Sequence, residues 1–187
     1  MRGHGHGNAE RFDAVVLACH SDQALALLAD ARPDEASVLG AIVHDSYLAI
    51  PDYPPDPEYD DRLVEVAERA AHGRIVVAEL DGALVGCLTF VDDPSSELYE
   101  WHDPAFTCIR MFGVANAAQG RGVGAAMLQW CIDETRRLGR AGIGLHSITE
   151  MKTAQRMYER FGFVRRPEFD FEVPDTIGLA FEYVLVA

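Results

Sequence analysis

The segment Gln119-Gly120-Arg121-Gly122-Val123-Gly124 carries the clearest chemical signal in this 187-residue chain. Glycine at alternate positions lets a backbone turn sharply and approach a ligand without Cβ interference. From Val123 to Leu138 the sequence has helical periodicity, so free N–H groups and the positive end of a helix dipole meet the glycine turn. Together these make a seat for an anion, and a phosphate or pyrophosphate suits it best. Two nucleotide motifs fail on spacing. A Walker loop needs Lys-Ser or Lys-Thr after its last glycine, and Gly124 is followed by Ala125 and Ala126. A dinucleotide fingerprint needs a third glycine where Ala125 stands, and a ribose-binding carboxylate in the region of His146 and Ser147, with Glu150 only slightly beyond.

The flanks of the turn add order to it. Cys108 to Val114 reads as an apolar strand before it, and Ala154, Tyr158 and Phe161-Gly162-Phe163 follow some thirty residues after. Strand, glycine turn, helix, tyrosine and closing triplet in this order resemble the GCN5-related N-acetyltransferases, the GNAT family, over about Ile75 to Phe163. The resemblance implies acetyl-coenzyme A as co-substrate, its pyrophosphate held by main-chain N–H groups of Gln119, Gly120, Arg121, Gly122, Val123 and Gly124. It implies that the preceding strand splays from its parallel neighbour at a bulge. Phe112 and Val114 then offer backbone groups to pantetheine, Gly113 gives access, and the Val114 N–H stabilises the oxyanion. It also implies direct attack of a primary amine on the thioester, with Tyr158 as general acid toward the departing thiolate. The commonest wording of the motif has proline where Asn116 stands, arginine at Gln119, and in many members asparagine at Met151.

The acid role is chemically sound, because a phenol of pKa about 10 keeps its proton at neutral pH and a thiolate of conjugate pKa about 8.5 accepts it. Met151, Ala154, Tyr158 and Phe161 share one helix face, which turns Tyr158 toward the sheet. A core tyrosine would show the same spacing. No carboxylate lies between Cys108 and Val114 to act as base. Glu97, Glu100, His102, Asp103 and His146 are candidates from adjoining segments, each also readable as a solvated loop residue or strand-end contact. Tyr47, Tyr53, Tyr99, Trp101 and Phe106, with Asp52, Glu97 and Glu100, are candidates for an aromatic, acidic wall receiving a cationic amine. The missing carboxylate keeps a second class open, a non-catalytic acyl-coenzyme A sensor or regulatory module.

Composition bounds these readings. An apolar content of 49% over 187 residues supports a single domain with a sizeable core. Residues 12–187 are expected to form it, with a Gly-rich disordered tail over 1–11, where His4 and His6 read as tail rather than metal ligands. No apolar run reaches membrane-spanning length, and the N-terminus lacks the apolar stretch of a signal peptide. Cys19, Cys87, Cys108 and Cys131 form no C-x-x-C pair, which suits buried thiols in a cytoplasmic protein. A net charge of −14 argues against a nucleic-acid partner and is compatible with a cationic small-molecule or peptide amine. An anionic coenzyme then needs a locally basic site, for which Arg121, Arg156 and Arg160 are candidates. Family analogy alone suggests a homodimer.

The elements that must position these residues are read from periodicity and turn signals. Phe12–Cys19 reads as a strand, Ser21 or Asp22 as the cap of a short helix to about Ala29, and Asp34 as the start of a helix toward Tyr47. Four prolines between Pro51 and Pro57 predict an extended loop, and Asp61–Ala71 reads as a helix. Ile75–Leu80 and Leu84–Val91 around Asp81-Gly82 predict a hairpin, and Asp92–Phe106 a loop. Thr107–Val114 and Ile143–Ser147 read as strands, Met151–Arg160 as a helix closed by Gly162, and Phe163–Phe171 and Ile177–Val186 as the last two strands. The fold class is therefore α/β, with a mixed, mostly antiparallel central sheet and flanking helices; the splayed parallel pair within it is what the resemblance adds.

Overall fold

The computed structural model describes residues 14–18, 24–28 and 31–186. The chain forms β1 (Ala14–Ala18) and β2 (Ala24–Leu28), then α1 (Ala36–Leu48), α2 (Pro57–Val64) and α3 (Val66–Arg69). The hairpin β3 (Arg74–Leu80) and β4 (Ala83–Val91) follows, then β5 (Phe106–Val114), α4 (Val123–Arg137), β6 (Gly142–Ile148) and α5 (Lys152–Arg160). Short β7 (Val164–Arg165) and β8 (Phe171–Val173) precede β9 (Thr176–Val184). Among the described residues the nine strands make one sheet in the order β1-β2-β3-β4-β5-β6-β9-β7, with β8 beside β9. Every pair is antiparallel except β5–β6. The expected fold class is the one found. None of the described helices is long and apolar enough to cross a membrane.

Period-two alternation splits the core between the two faces of the sheet. Val76, Ala78 and Leu80 of β3 join Leu88, Phe90, Ile109, Leu145 and Phe181 under α4 and α5. Ile75 and Val77, offset by one residue, join Cys87 and Met111 under Leu39, Ile42, Val43 and Tyr47 of α1. A smaller cluster of Val91, Trp101, Phe106, Cys108 and Ala180 packs beneath the loop between β4 and β5. The hairpin closes as expected, with Asp81 and Gly82 both at positive φ (54° and 81°), the pair of conformations that a two-residue turn with native strand twist requires.

Three expectations are corrected. The helix expected to run to Ala29 is instead strand β2, paired with β1 and with Val77–Leu80 of β3. A short apolar run such as Ala-Leu-Ala-Leu-Leu has no decisive period, and the free edge of β3 settles it. The caps assigned to that helix, Ser21 and Asp22, lie outside the described residues, as does the tail over 1–11. The helix expected from Asp61 begins at Pro57, where Asp56 Oδ1 accepts the Tyr59 N–H (3.1 Å), and breaks at Glu65, whose ψ is 57°. The strand expected over Phe163–Phe171 is interrupted by a 3₁₀ turn at Pro167–Phe169, because proline cannot donate to a ladder. The bidentate Arg165–Asp170 pair (2.9 and 2.8 Å) staples that detour.

Helix α4 is fastened to the sheet through Glu134, only 8% exposed. Arg137 holds it bidentately (2.6 and 2.7 Å), Arg74 from the start of β3 hydrogen-bonds its Oε1, and the Arg74 guanidinium lies 5.2 Å from the centre of Trp130. Chiefly the Arg137 hydrogen bonds, then Arg74, bring the Glu134 carboxyl down to about 2 against the opposing effect of burial. A depressed folded-state pKa contributes stability that is complete above the unfolded carboxyl's pKa and is lost as pH falls through the folded one. Glu134→Gln is therefore expected to cost about 2 kcal/mol at pH 7, with the deficit shrinking below about pH 4 and vanishing near pH 2, in urea denaturation followed across that range.

Candidate active site

The sheet forks at its one parallel pair. β5 and β6 are in register from Phe106↔Gly142 to Ile109↔Leu145 and then part. Beyond that point β5 continues on β4 to Val114, and β6 continues on β9 to Ile148. An extra residue in β5 drives the parting. Thr89 pairs with Arg110 and Cys87 with Gly113, so Leu88 alone faces both Met111 and Phe112. Met111 takes φ 49°, a conformation costing a side-chain-bearing residue about 1–2 kcal/mol. Its side chain is buried under α1, while Phe112 and Val114 pack toward α4. Gly113 has a steric reason of its own, since a Cβ there would lie 2.7 Å from Val43 Cα and 2.6 Å from Ser46 Oγ. Helix α1 thus rests directly on the outer arm of the fork.

The backbone of that arm is turned usefully. Ala115 N–H is engaged by Val85 O (2.8 Å), so alternation directs the Val114 N–H away from β4 and into the fork. The chain then makes a 3₁₀ turn at Asn116–Ala118 and passes through Gly120 (φ 74°) and Gly122 (φ 84°) into α4. Gly122 caps α4 in the left-handed conformation. The N–H groups of Gly120, Gly122, Val123 and Gly124 meet no acceptor among the described residues. Four unpaired donors at a helix N-terminus suit an anion, whereas the N–H groups of Gln119 and Arg121 donate to Asn116 O and Ala118 O (both 3.4 Å). Gln119 Nε2 donates to Asn116 Oδ1 (2.9 Å) and, longer, to Val114 O (3.4 Å). Asn116 and Gln119, the two departures beside the turn, therefore hold each other.

Tyr158 projects from α5 into the α4 side of the core, 5% exposed, with ring centres of Phe163 and Phe181 at 5.7 and 5.9 Å. Its hydroxyl makes no hydrogen bond among the described residues, and burial raises its pKa, so it carries its proton at neutral pH. Helix α5 is placed by Gln155 Nε2 on Ile148 O (2.7 Å), at the tip of the inner arm. Its Met157 lies against the first turn of α4, where a Cβ on Gly124 would lie 3.4 Å from the sulfur.

On the α1–α2 side the fork opens into a cavity of about 250 Å³. Tyr47, Tyr53 and Tyr59 wall it, and Arg110 and His146, the first residue of each arm past the parting, form its floor with Glu100. Glu100 Oε1 lies 2.7 Å from Arg110 Nη1, and Oε2 lies 3.7 Å from His146 Nδ1. His146 Nε2 lies 3.1 Å from Phe169 O. Of the candidates taken from sequence, Tyr47, Tyr53, Glu100 and His146 meet here. Trp101 and Phe106 are buried in the core beside it. Tyr99 staples its own loop through Asp103 O and Phe106 O (2.6 and 3.1 Å), Asp103 caps Ala105 N–H (2.9 Å), and His102 stacks on Phe169 at 3.6 Å. Glu97 faces His72 across 3.9 Å on the outer surface, and Asp52 is exposed in its turn. Arg110 and Tyr59 were not anticipated. The signal for Arg110 was present as the lone charge in an otherwise apolar strand.

The sequence model of the Acetyltransferase (GNAT) family matches residues 40–163, from α1 to just past α5. The chain belongs to that family. Solved structures share the GNAT fold at low identity. A GNAT-family protein of Desulfovibrio desulfuricans superposes with a TM-score of 0.66 at 21% identity, covering 86% of this chain and 98% of its own. A GNAT-family acetyltransferase of Staphylococcus aureus Mu50 gives 0.68 at 14% identity, with 87% and 99% covered. YncA of Salmonella typhimurium, solved with its cofactor acetyl-CoA, gives 0.63 at 19% identity, with 87% and 94% covered. No curated protein matches the sequence. In this GNAT domain the seat of α1 on Gly113 is directly testable. Gly113→Ala must push α1 off the outer arm, and a loss of about 1–3 kcal/mol in chemical denaturation is expected.

Proposed function

We propose that this protein transfers the acetyl group of acetyl-coenzyme A to a primary amine by direct attack, without a covalent enzyme intermediate. The observation that carries this reading is the fork in the sheet, whose outer arm runs straight into a loop of unpaired N–H groups. The donor set fits a pyrophosphate: main-chain N–H groups of Gly120, Gly122, Val123 and Gly124, flanked by Gln119 and Arg121. The gap between the arms fits an extended amide-bearing chain, for which Phe112 and Val114 supply backbone groups and Gly113, paired with Cys87 of β4, gives access. Bound there, acetyl-coenzyme A supplies an activated thioester. The Val114 N–H then stabilises developing negative charge on a carbonyl oxygen, and Tyr158, its proton retained by burial, gives that proton to a departing thiolate.

The acceptor side supports a small amine or one extended side chain. A cavity of about 250 Å³ lies at the lower end of small-molecule sites. Its three tyrosines and Glu100 suit a cationic head by ring-face attraction and ion pairing. A sensor reading keeps one observation in its favour, that the only charge on β5 is the cation Arg110 rather than a carboxylate. Two measurements separate the readings. Calorimetry with acetyl-coenzyme A, ATP and NADH should show selective binding of the first, and a preference for either nucleotide overturns the proposal. Tyr158→Phe should keep acetyl-coenzyme A affinity within about twofold and lower turnover about 100-fold in a thiol-release assay over a primary-amine panel. Unchanged turnover removes Tyr158 from the mechanism, and absent turnover in the wild type favours the sensor.

A further inference from the structure

The floor of the cavity holds an arrangement that the transfer chemistry above leaves unused. A carbonyl oxygen can only accept, so the 3.1 Å contact with Phe169 O places the proton of neutral His146 on Nε2. Its Nδ1 lone pair then points toward the Glu100 carboxylate at 3.7 Å, beyond hydrogen-bond reach. Nδ1 is sealed from solvent and has no hydrogen-bond partner among the described residues. Two proton acceptors therefore face each other across a gap slightly too long for a direct hydrogen bond. Glu100, by contrast, keeps 37% of its side chain exposed and borders the cavity.

We propose that Glu100 and His146 form a proton relay for the acceptor amine, Glu100 Oε2 taking a proton from the bound ammonium and passing it to His146 Nδ1. This rests on the acetyltransferase reading. In the first step an ammonium N–H bond breaks and an O–H bond forms on Glu100. In the second that O–H breaks and an N–H forms on Nδ1. The amine is left neutral with its electron pair free, and the imidazolium pairs with the restored carboxylate. Water reclaims the proton through the exposed Glu100. The need is real, since an alkyl ammonium of pKa about 10.4 is almost wholly protonated at neutral pH.

The surroundings suit this use. Four groups face His146: Glu100 from the loop before β5, Arg110 from β5, Asp170 from the turn before β8, and the Phe169 carbonyl. The rings of Trp101 and Phe171 enclose it at 5.6 and 4.7 Å. Burial, outweighing the Phe169 carbonyl and the two carboxylates, keeps the imidazole neutral at rest, so its Nδ1 lone pair stays free. Arg110 fixes the other Glu100 oxygen at 2.7 Å, which orients Oε2 toward His146. His146 acts through Glu100 and is a proton-holding, positioning residue.

The test uses the full chain as wild type, Glu100→Gln and His146→Gln. Long-range proton–nitrogen NMR, with His146→Gln for assignment, should show the wild-type imidazole protonated at Nε2 and bare at Nδ1 at pH 8. In Glu100→Gln the His146 titration midpoint should fall by about one pH unit. With acetyl-coenzyme A and the primary-amine panel, both variants should lose about 100-fold in kcat/KM at pH 7 while binding acetyl-coenzyme A as the wild type does. Their rates should climb with pH toward the acceptor's own pKa, where the wild type levels off. A proton on Nδ1 at rest, an unmoved midpoint, wild-type rates, or lost coenzyme affinity in the variants each overturns the relay. Failure of the wild type to bind acetyl-coenzyme A overturns the transferase reading instead.

Discussion

One surplus residue in β5 governs this molecule. Because Leu88 faces two residues and Met111 adopts positive φ, β5 bends away from β6 just past the Ile109–Leu145 pair. A flat parallel pair would bury the same side chains with less backbone strain, but it would leave no gap. The strain is held by packing on both faces. Met111 is locked under α1, and Phe112 and Val114 are locked under α4. The two helical layers therefore do more than cover the sheet; they keep its arms apart.

From that bend the two sides of the fork acquire different chemistry. On the α4–α5 side lie the glycine turn and Tyr158, a region of backbone donors and buried apolar rings. On the α1–α2 side lie Arg110, Glu100 and His146 under three tyrosines. Register assigns these roles, since Ile109 and Leu145 pair on one face and the next residue of each arm falls on the other. For an acidic chain proposed to seat an anion, main-chain N–H groups and a helix terminus are a local source of positive potential that does not depend on net charge.

Much of this is legible in the sequence. The glycine turn, the α4 periodicity, the Asp81-Gly82 hairpin and the inward turn of Tyr158 follow from local rules, and local rules act over a few residues. What sequence left open depended on partners far along the chain. β2 is a strand because β3 offers it an edge, and the helix read from Asp61 breaks at Glu65. The floor of the cavity was scattered over three segments, with Glu100 from a loop, Arg110 from β5 and His146 from β6. Spacing along a chain cannot show that three such side chains converge, although a charge inside an apolar strand is a reason to ask what it faces. Gly113 shows the reverse case, a residue anticipated for ligand access whose visible steric reason is the approach of α1.

The Asn116–Gln119 clasp has a consequence of another kind. The bond, 2.9 Å between two side-chain amides across the 3₁₀ turn that precedes the glycines, joins uncharged partners. Dissolved salt screens interactions between charges over roughly 8–10 Å at physiological ionic strength, and a neutral amide bond offers it little to screen. Nor does either partner titrate in the range where proteins fold. A further tie at the glycine turn, Arg121 Nη2 to Asp81 Oδ2 at 3.5 Å, is an ion pair between part-exposed groups, so salt loosens that tie and leaves the amide clasp intact.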